Sequence, residues 1–216
     1  MIEYYKLGAR FAKWRAVFSI SNGLPSMQCV KSNVHALARY AALVQEANMV
    51  PIVEPEVLMD GEHSIDDCYN VTSRVLEECY KELKLHKVIL KGTVLKPNMV
   101  VPGSSFKKKS SPLEIAEKTL KCIKNNVPNE VPGIAFLSGG QSEIEATNNL
   151  NEINKINKTK FNFTFSYGRA LQQTALKTWA NSMDNLDLVK KVFNHRAKMN
   201  GLSTNGQWSE DLEKVA

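Results

Sequence analysis

Residues 88–103 read VILKGTVLKPNMVVPG, and this stretch decides the fold. An apolar run bounded by turn residues predicts a buried strand, here from Val88 to Leu95. Lysine is rarely fully buried unless it is paired. Lys96 is therefore expected where the strand leaves the core and meets a cavity or water. Alone, a Lys-Pro step is a loop feature. What stands at the ends of the other strands decides whether Lys96 is a surface lysine or a working one.

Working outward, strands and helices alternate. Phe11 to Phe18 reads as a strand and Met27 to Asn48 as a helix, with Val30, Val34, Leu37, Ala41 and Val44 at helical spacing. Val50 to Val53 is a short strand ending at Glu54-Pro55-Glu56, and Ile65 to Leu85 is helical. After the strand at Val88, Pro112 opens a helix to about Asn125, where its missing N–H costs nothing. Gly133 to Leu137, Ser142 to Ile156 and Phe161 to Phe165 continue the alternation, and helices at 168–180 and 186–198 close it. Such an order implies parallel strands with right-handed crossovers, in an open doubly wound sheet or a (β/α) barrel. The length prior makes residues 1–216 a single domain.

Composition narrows the function. The chain has 43% hydrophobic and 23% charged residues and a formal charge of +6. That charge favours anions, but no aromatic and basic residues interleave as in a nucleic-acid binder. Lys107, Lys108 and Lys109 read as a solvated loop. Cys29, Cys68, Cys79 and Cys122 form no Cys-x-x-Cys pair and are expected to be reduced and packed, as in a cytoplasmic protein. His35, His63, His86 and His195 are scattered without metal-ligand spacing, so no metal site is expected. No stretch approaches the length of a membrane span.

In a barrel, chemistry gathers at the C-terminal ends of the strands. Lys13 and Arg15 share one face of the first strand, Glu54 and Glu56 one face of the second, and Val94 and Lys96 one face of the third. The last two strands end in Ser138-Gly139-Gly140 and Ser166-Tyr167-Gly168-Arg169. Glycine lets backbone N–H groups approach a ligand, a helix N-terminus favours an anion, and a guanidinium fits phosphate oxygens. Ser138, Gly139, Gly140, Ser166, Gly168 and Arg169 therefore read as a phosphate site. A lysine held near a cation becomes a nucleophile that condenses with a ketone, and Lys13 or Arg15 supplies that cation. Glu54 and Glu56 are the candidates for moving protons.

The segments FAKWR, VPIVEPE, GTVLKPNMV, FLSGGQS and FSYGRALQ resemble, in order and spacing, the class I fructose-bisphosphate aldolases. The resemblance covers about Gly8 to Trp179 and, more loosely, the last helix. It implies a TIM (β/α)8-barrel family fold with about five of the eight βα units in this chain. It implies cleavage of fructose 1,6-bisphosphate, a sugar phosphate, to dihydroxyacetone phosphate and glyceraldehyde 3-phosphate through a Schiff base, without a cofactor. By that resemblance Lys96 forms the iminium, Glu54 is the acid/base residue with Glu56 beside it, and Lys13 and Arg15 assist catalysis and bind a substrate phosphate. Ser138, Gly139, Ser166, Gly168 and Arg169 hold the other phosphate. It also implies a cytoplasmic homotetramer, in some members bound to actin. Transaldolase and deoxyribose-phosphate aldolase, also Schiff-base barrels, account for fewer of the five segments.

The chain departs from the family pattern in three places. No strand is expected before Phe11, whereas the family barrel begins with three more strands that carry an active-site aspartate and lysine. The family's terminal tyrosine is not matched at Glu213-Lys214-Val215-Ala216. Lys91 stands where the family has glutamate, and its spacing from Lys96 places it against the helix layer. Five strands leave two unpaired edges, near Phe11 and Phe163. A relative that binds sugar phosphate or acts as a scaffold without turnover is the alternative reading.

Overall fold

A computed structural model describes residues 1–215. Its centre is a five-stranded, all-parallel sheet in the order β1-β2-β3-β4-β5. The strands are β1 (Phe11–Phe18), β2 (Val50–Val57), β3 (Val94–Leu95), β4 (Gly133–Phe136) and β5 (Asn162–Phe165). Helices α2 (Met27–Glu46), α3 (Ile65–Leu85), α4 (Pro112–Asn126) and α5 (Glu143–Ile156) form the crossovers, and α6 (Arg169–Asn181) and α7 (Leu186–Ser203) follow β5. A short helix, α1 (Ile2–Lys6), precedes β1 where the sequence suggests no element.

Local chemistry sets the helix starts. Ser26, Ser64, Ser111 and Ser142 each accept a bond from the backbone N–H three residues on. Ser64 with Asp67 and Ser142 with Glu145 complete reciprocal capping boxes. The apolar stripes predicted from spacing are the buried ones: Val30, Val34, Leu37, Ala41 and Val44 of α2 are all fully covered. Phe18, Leu76, Leu95, Ile134 and Phe136 join them in one core between sheet and helices.

Two strands differ from the sequence reading. β3 is two residues long rather than eight, because Leu90–Gly92 turns into a 3-10 helix. Gln45 at the end of α2 holds that turn, bonding Ile89 through N–H and C=O and reaching the Gly92 carbonyl. Lys91 is consequently exposed and does not pack against the helix layer. β2 runs on through Pro55 to Val57. The N–H groups of Val50 and Leu58 bond to β1 carbonyls or their extension, so even-numbered positions of β2 point toward β1. Pro55 points the other way, past the end of β3, where no ladder donor is missing.

Everything after Lys96 in the opening stretch is anchored. Pro97 to Val101 are all buried. Asn98 accepts a bond from Val57 N–H at 3.0 Å and donates to Thr72 at 3.1 Å and to the Met99 carbonyl at 3.0 Å. The Val100 N–H bonds Thr119 at 2.9 Å. Gly103 N–H bonds the His63 carbonyl, and a Cβ on Gly103 would lie 2.3 Å from the Gly61 carbonyl oxygen. Glycine is required there because two backbones pass that closely. Gly103→Ala is expected to cost about 1–3 kcal/mol in urea unfolding, since backbone rather than a flexible side chain must move. A cost indistinguishable from zero would contradict the close approach.

The chain end docks on α7. Arg196 donates to both Glu213 oxygens at 2.9 and 2.7 Å, and the Trp208 indole N–H donates at 2.7 Å. Burial raises the Glu213 carboxyl, but hydrogen bonds from Arg196, Trp208 and His195 outweigh it and hold the group below its ordinary value. A depressed folded value stabilises the fold above the unfolded value, about 4.3, and that contribution is lost as pH falls through the folded value. Urea midpoints between pH 6 and pH 3 should fall less steeply for Glu213→Gln than for the parent chain. Identical slopes would contradict the arrangement.

Candidate active site

Alternation along β1 puts Phe11, Lys13, Arg15 and Val17 on one face and Ala16 and Phe18 on the core face. Trp14, also facing the helices, packs tilted on Tyr40 at 5.9 Å. Parallel pairing sets Lys13 opposite Ile52 and Arg15 opposite Glu54. Each cation reaches the carboxylate two positions further along β2.

The two carboxylates are the unusual feature. Glu54 and Glu56 are only 3% and 4% exposed. A buried carboxylate requires a countercharge. Glu54 has two: Lys13 Nζ lies 2.9 Å from its Oε2, and Lys96 Nζ lies 3.1 Å from its Oε1. Lys96 is placed by the Lys96 N–H bond to the Val53 carbonyl at 2.8 Å, which continues the β2–β3 ladder. The Lys96 side chain is 14% exposed, against 44% for Lys13. Both contacts with Glu54 are ion pairs. Glu54 Oε2 has no donor aligned for a hydrogen bond. A buried acceptor left over in this way beside an amine is suited to taking and returning a proton.

Glu56 serves the other cation. The Arg15 Nε donates to Glu56 Oε2 at 2.5 Å. That hydrogen bond holds the guanidinium above its ordinary value against desolvation, with the charges of Glu56 and Glu54 adding to it. Arg15 is thereby fixed by Glu56 with about half of its side chain exposed.

The glycine turns lie at the same level. The Leu137 N–H bonds the Pro97 carbonyl at 3.1 Å and the Ser166 N–H bonds the Phe136 carbonyl at 2.8 Å. Hydrogen bonding thus carries the sheet from Lys96-Pro97 to Leu137-Ser138 and on to Ser166. Gly139 and Gly140 have φ of +58° and +96°, the left-handed region that favours glycine. The structure separates the two turns chemically. The N-terminus of α5 is closed by its Ser142–Glu145 box and carries Glu143 and Glu145. The N-terminus of α6 starts at Gly168, which offers no capping side chain, and Arg169 follows at once. The N–H groups of α6 are the better anion donors.

Sequence reasoning passed over Asn98, which ties the residue after Lys96-Pro97 to the end of β2. The signal was present in the LKPN segment itself: a polar residue between a proline and three apolar ones needs buried partners. The apolar groove of about 360 Å³ between α6 and α7, lined by Leu176, Trp179 and Phe193 among others, contains none of these residues.

The ion-pair arrangement has a direct consequence. Glu54→Gln leaves two ammonium groups against a neutral amide. The variant is expected to unfold about 1–3 kcal/mol more easily at pH 7 in urea. Equal or greater stability would show that the carboxylate is not the shared countercharge.

A family model described as glycolytic fructose-bisphosphate aldolase class-I matches residues 1–216. The chain is 52% identical over 212 residues to fructose-bisphosphate aldolase 4, cytosolic, of Arabidopsis thaliana, covering 98% of this chain and 54% of that protein. It is 50% identical to a probable fructose-bisphosphate aldolase class 1 of Xylella fastidiosa, covering 95% of this chain and 62% of the other. It is 52% identical to the cytoplasmic isozyme of Spinacia oleracea, covering 95% and 58%. A crystal structure of the Plasmodium falciparum aldolase, in complex with TRAP and a small-molecule inhibitor, superposes with a TM-score of 0.93 at 44% identity. That match covers 96% of this chain and 60% of the other. The five strands are therefore part of a (β/α)8 barrel, and the chain spans between half and two thirds of the length of these relatives. It belongs to the class I fructose-bisphosphate aldolase family.

Proposed function

We propose that this chain acts as a Schiff-base aldolase on fructose 1,6-bisphosphate, releasing dihydroxyacetone phosphate and glyceraldehyde 3-phosphate. The observation that carries the proposal is the buried Glu54 carboxylate set between Lys13 and Lys96. Glu54 takes a proton from the paired Lys96 ammonium, and the freed amine adds to the substrate ketone. Loss of water from the adduct needs a proton delivered to its hydroxyl, and Glu54 lies beside Lys96 to shuttle it. The resulting iminium accepts the electron pair of the breaking C3–C4 bond as the C4 hydroxyl gives its proton to Glu54 and becomes the aldehyde of glyceraldehyde 3-phosphate. The enamine left on Lys96 then takes that proton at carbon and is hydrolysed by water, freeing dihydroxyacetone phosphate and the amine. Lys13 pairs with Glu54 and holds it in place. Arg15, held by Glu56, takes one substrate phosphate. Ser138, Gly139, Gly140, Ser166, Gly168 and Arg169 take the other, with the open start of α6 contributing its N–H groups.

The reading extends to the chain as a whole. Residues 1–216 act as one partial-barrel domain, without a cofactor. A homotetramer and actin binding are what the family resemblance implies, and the cytosolic and cytoplasmic relatives support a cytoplasmic location.

Borohydride reduction in the presence of dihydroxyacetone phosphate is expected to fix one triose phosphate per chain, on the peptide containing Lys96. Lys96→Arg should abolish the adduct while the chain remains folded by circular dichroism. An adduct on another lysine, or none, would sink the proposal. In a coupled assay the parent chain should cleave fructose 1,6-bisphosphate and Lys96→Arg should not.

A further inference from the structure

The outer helix layer holds a second cluster of chemically competent side chains, away from the strand ends. His35 on α2, Glu82 in the last turn of α3 and His86 at its C-cap each offer one ligand atom, all within 4.8 Å of one another. Glu82 and His86 are four residues apart and share a helix face. His35 reaches them from the neighbouring helix, its Nδ1 lying 3.3 Å from Glu82 Oε2. The two imidazole rings meet edge to face, centroids 4.9 Å apart.

We propose that His35, Glu82 and His86 form a divalent transition-metal site of the zinc type, which clips α2 to α3. Zinc bonds imidazole nitrogen and carboxylate oxygen at about 2.0–2.2 Å, which puts neighbouring ligand atoms of a tetrahedron about 3.3–3.5 Å apart. The His35–Glu82 separation is already of that size. The His86 Nδ1 lies 3.4 Å from the same Glu82 Oε2, so both imidazoles stand at that spacing from one carboxylate oxygen. The same His86 Nδ1 lies 3.0 Å from the Glu82 carbonyl oxygen, a contact it gives up on taking the ion. The His35 side chain is half exposed, so the ion has an entry path and a fourth position for water.

The donor set also selects. Two imidazoles and one carboxylate suit zinc, copper or nickel, whereas magnesium and calcium call for oxygen ligands. The other histidine–carboxylate pair, His195 with Glu213, shares its carboxylate with Arg196, whose guanidinium already occupies the place of a cation. Lys31 and Arg39 lie one turn either side of His35 on α2, and their charge opposes the ion. The expected dissociation constant is therefore on the order of 1 μM rather than nanomolar. The location has a structural logic. Gln45 at the end of α2 and Lys87-Val88 after α3 lead into the turn that precedes Lys96.

The test is calorimetric titration of the chelator-stripped 216-residue chain with zinc chloride. One equivalent is expected to bind, and a large excess of magnesium should leave the titration unchanged. His35→Asn, Glu82→Gln and His86→Gln should each weaken binding at least tenfold, with folding checked by circular dichroism, and His195→Gln should not. Cobalt(II) in place of zinc should give the visible absorption of tetrahedral coordination, lost in His35→Asn. Absence of binding, or binding that survives all three substitutions, would show that the cluster is a hydrogen-bonded helix contact and no metal site.

Discussion

One buried carboxylate organises the site. Glu54 sits at the end of the second of five parallel strands, almost wholly removed from water, with an ammonium group on each oxygen. A carboxylate in that position needs a countercharge, and Lys13 still supplies one when the Lys96 amine is neutral. The strand register and the ladder bond at Lys96 enforce the geometry rather than side-chain chance. Chemistry and architecture meet in the same few atoms: what holds Glu54 in the core also points the Lys96 amine at the open face.

The framework behind that carboxylate is rigid where it must be and open elsewhere. Asn98, Thr119, Gly103 and Gln45 pin the segments before and after Lys96 to α2, α3, α4 and the end of β2. The face that carries Phe11, Lys13, Arg15 and Val17 is by contrast largely solvent-exposed. β1 and β5 are the edges of the sheet, as expected for five of eight units. The open side of the candidate site is thus an array of side chains held by one arc of a barrel.

Much of this was legible in the chain. Helices with serine caps and continuous apolar stripes announce themselves, and α3 begins and ends where its periodicity says. The strands were harder because packing overrides local pattern. Val88 to Leu95 looks like one strand, yet the core needs only Val94 and Leu95 in the ladder, and Gln45 bends the rest into a turn. Pro55 looks like a strand terminator, yet its missing N–H faces a side where β3 has already ended. The pairing of Lys13 with Glu54, and not with Glu56, depends on inter-strand register, which residue parity alone does not supply. His35 and His86 are 51 positions apart in sequence on separate helices; only the packing of α2 on α3 brings them to one carboxylate.

The account as a whole is tested most directly by a crystal structure of the chain reduced with borohydride in the presence of dihydroxyacetone phosphate. The expected result is continuous density from Lys96 Nζ to the substrate carbon, with a Glu54 oxygen in hydrogen-bonding reach and the phosphate on Arg15 or on the Ser138–Gly140 and Ser166–Arg169 turns. Density showing the Lys96 amine turned into bulk solvent, away from Glu54, would contradict it.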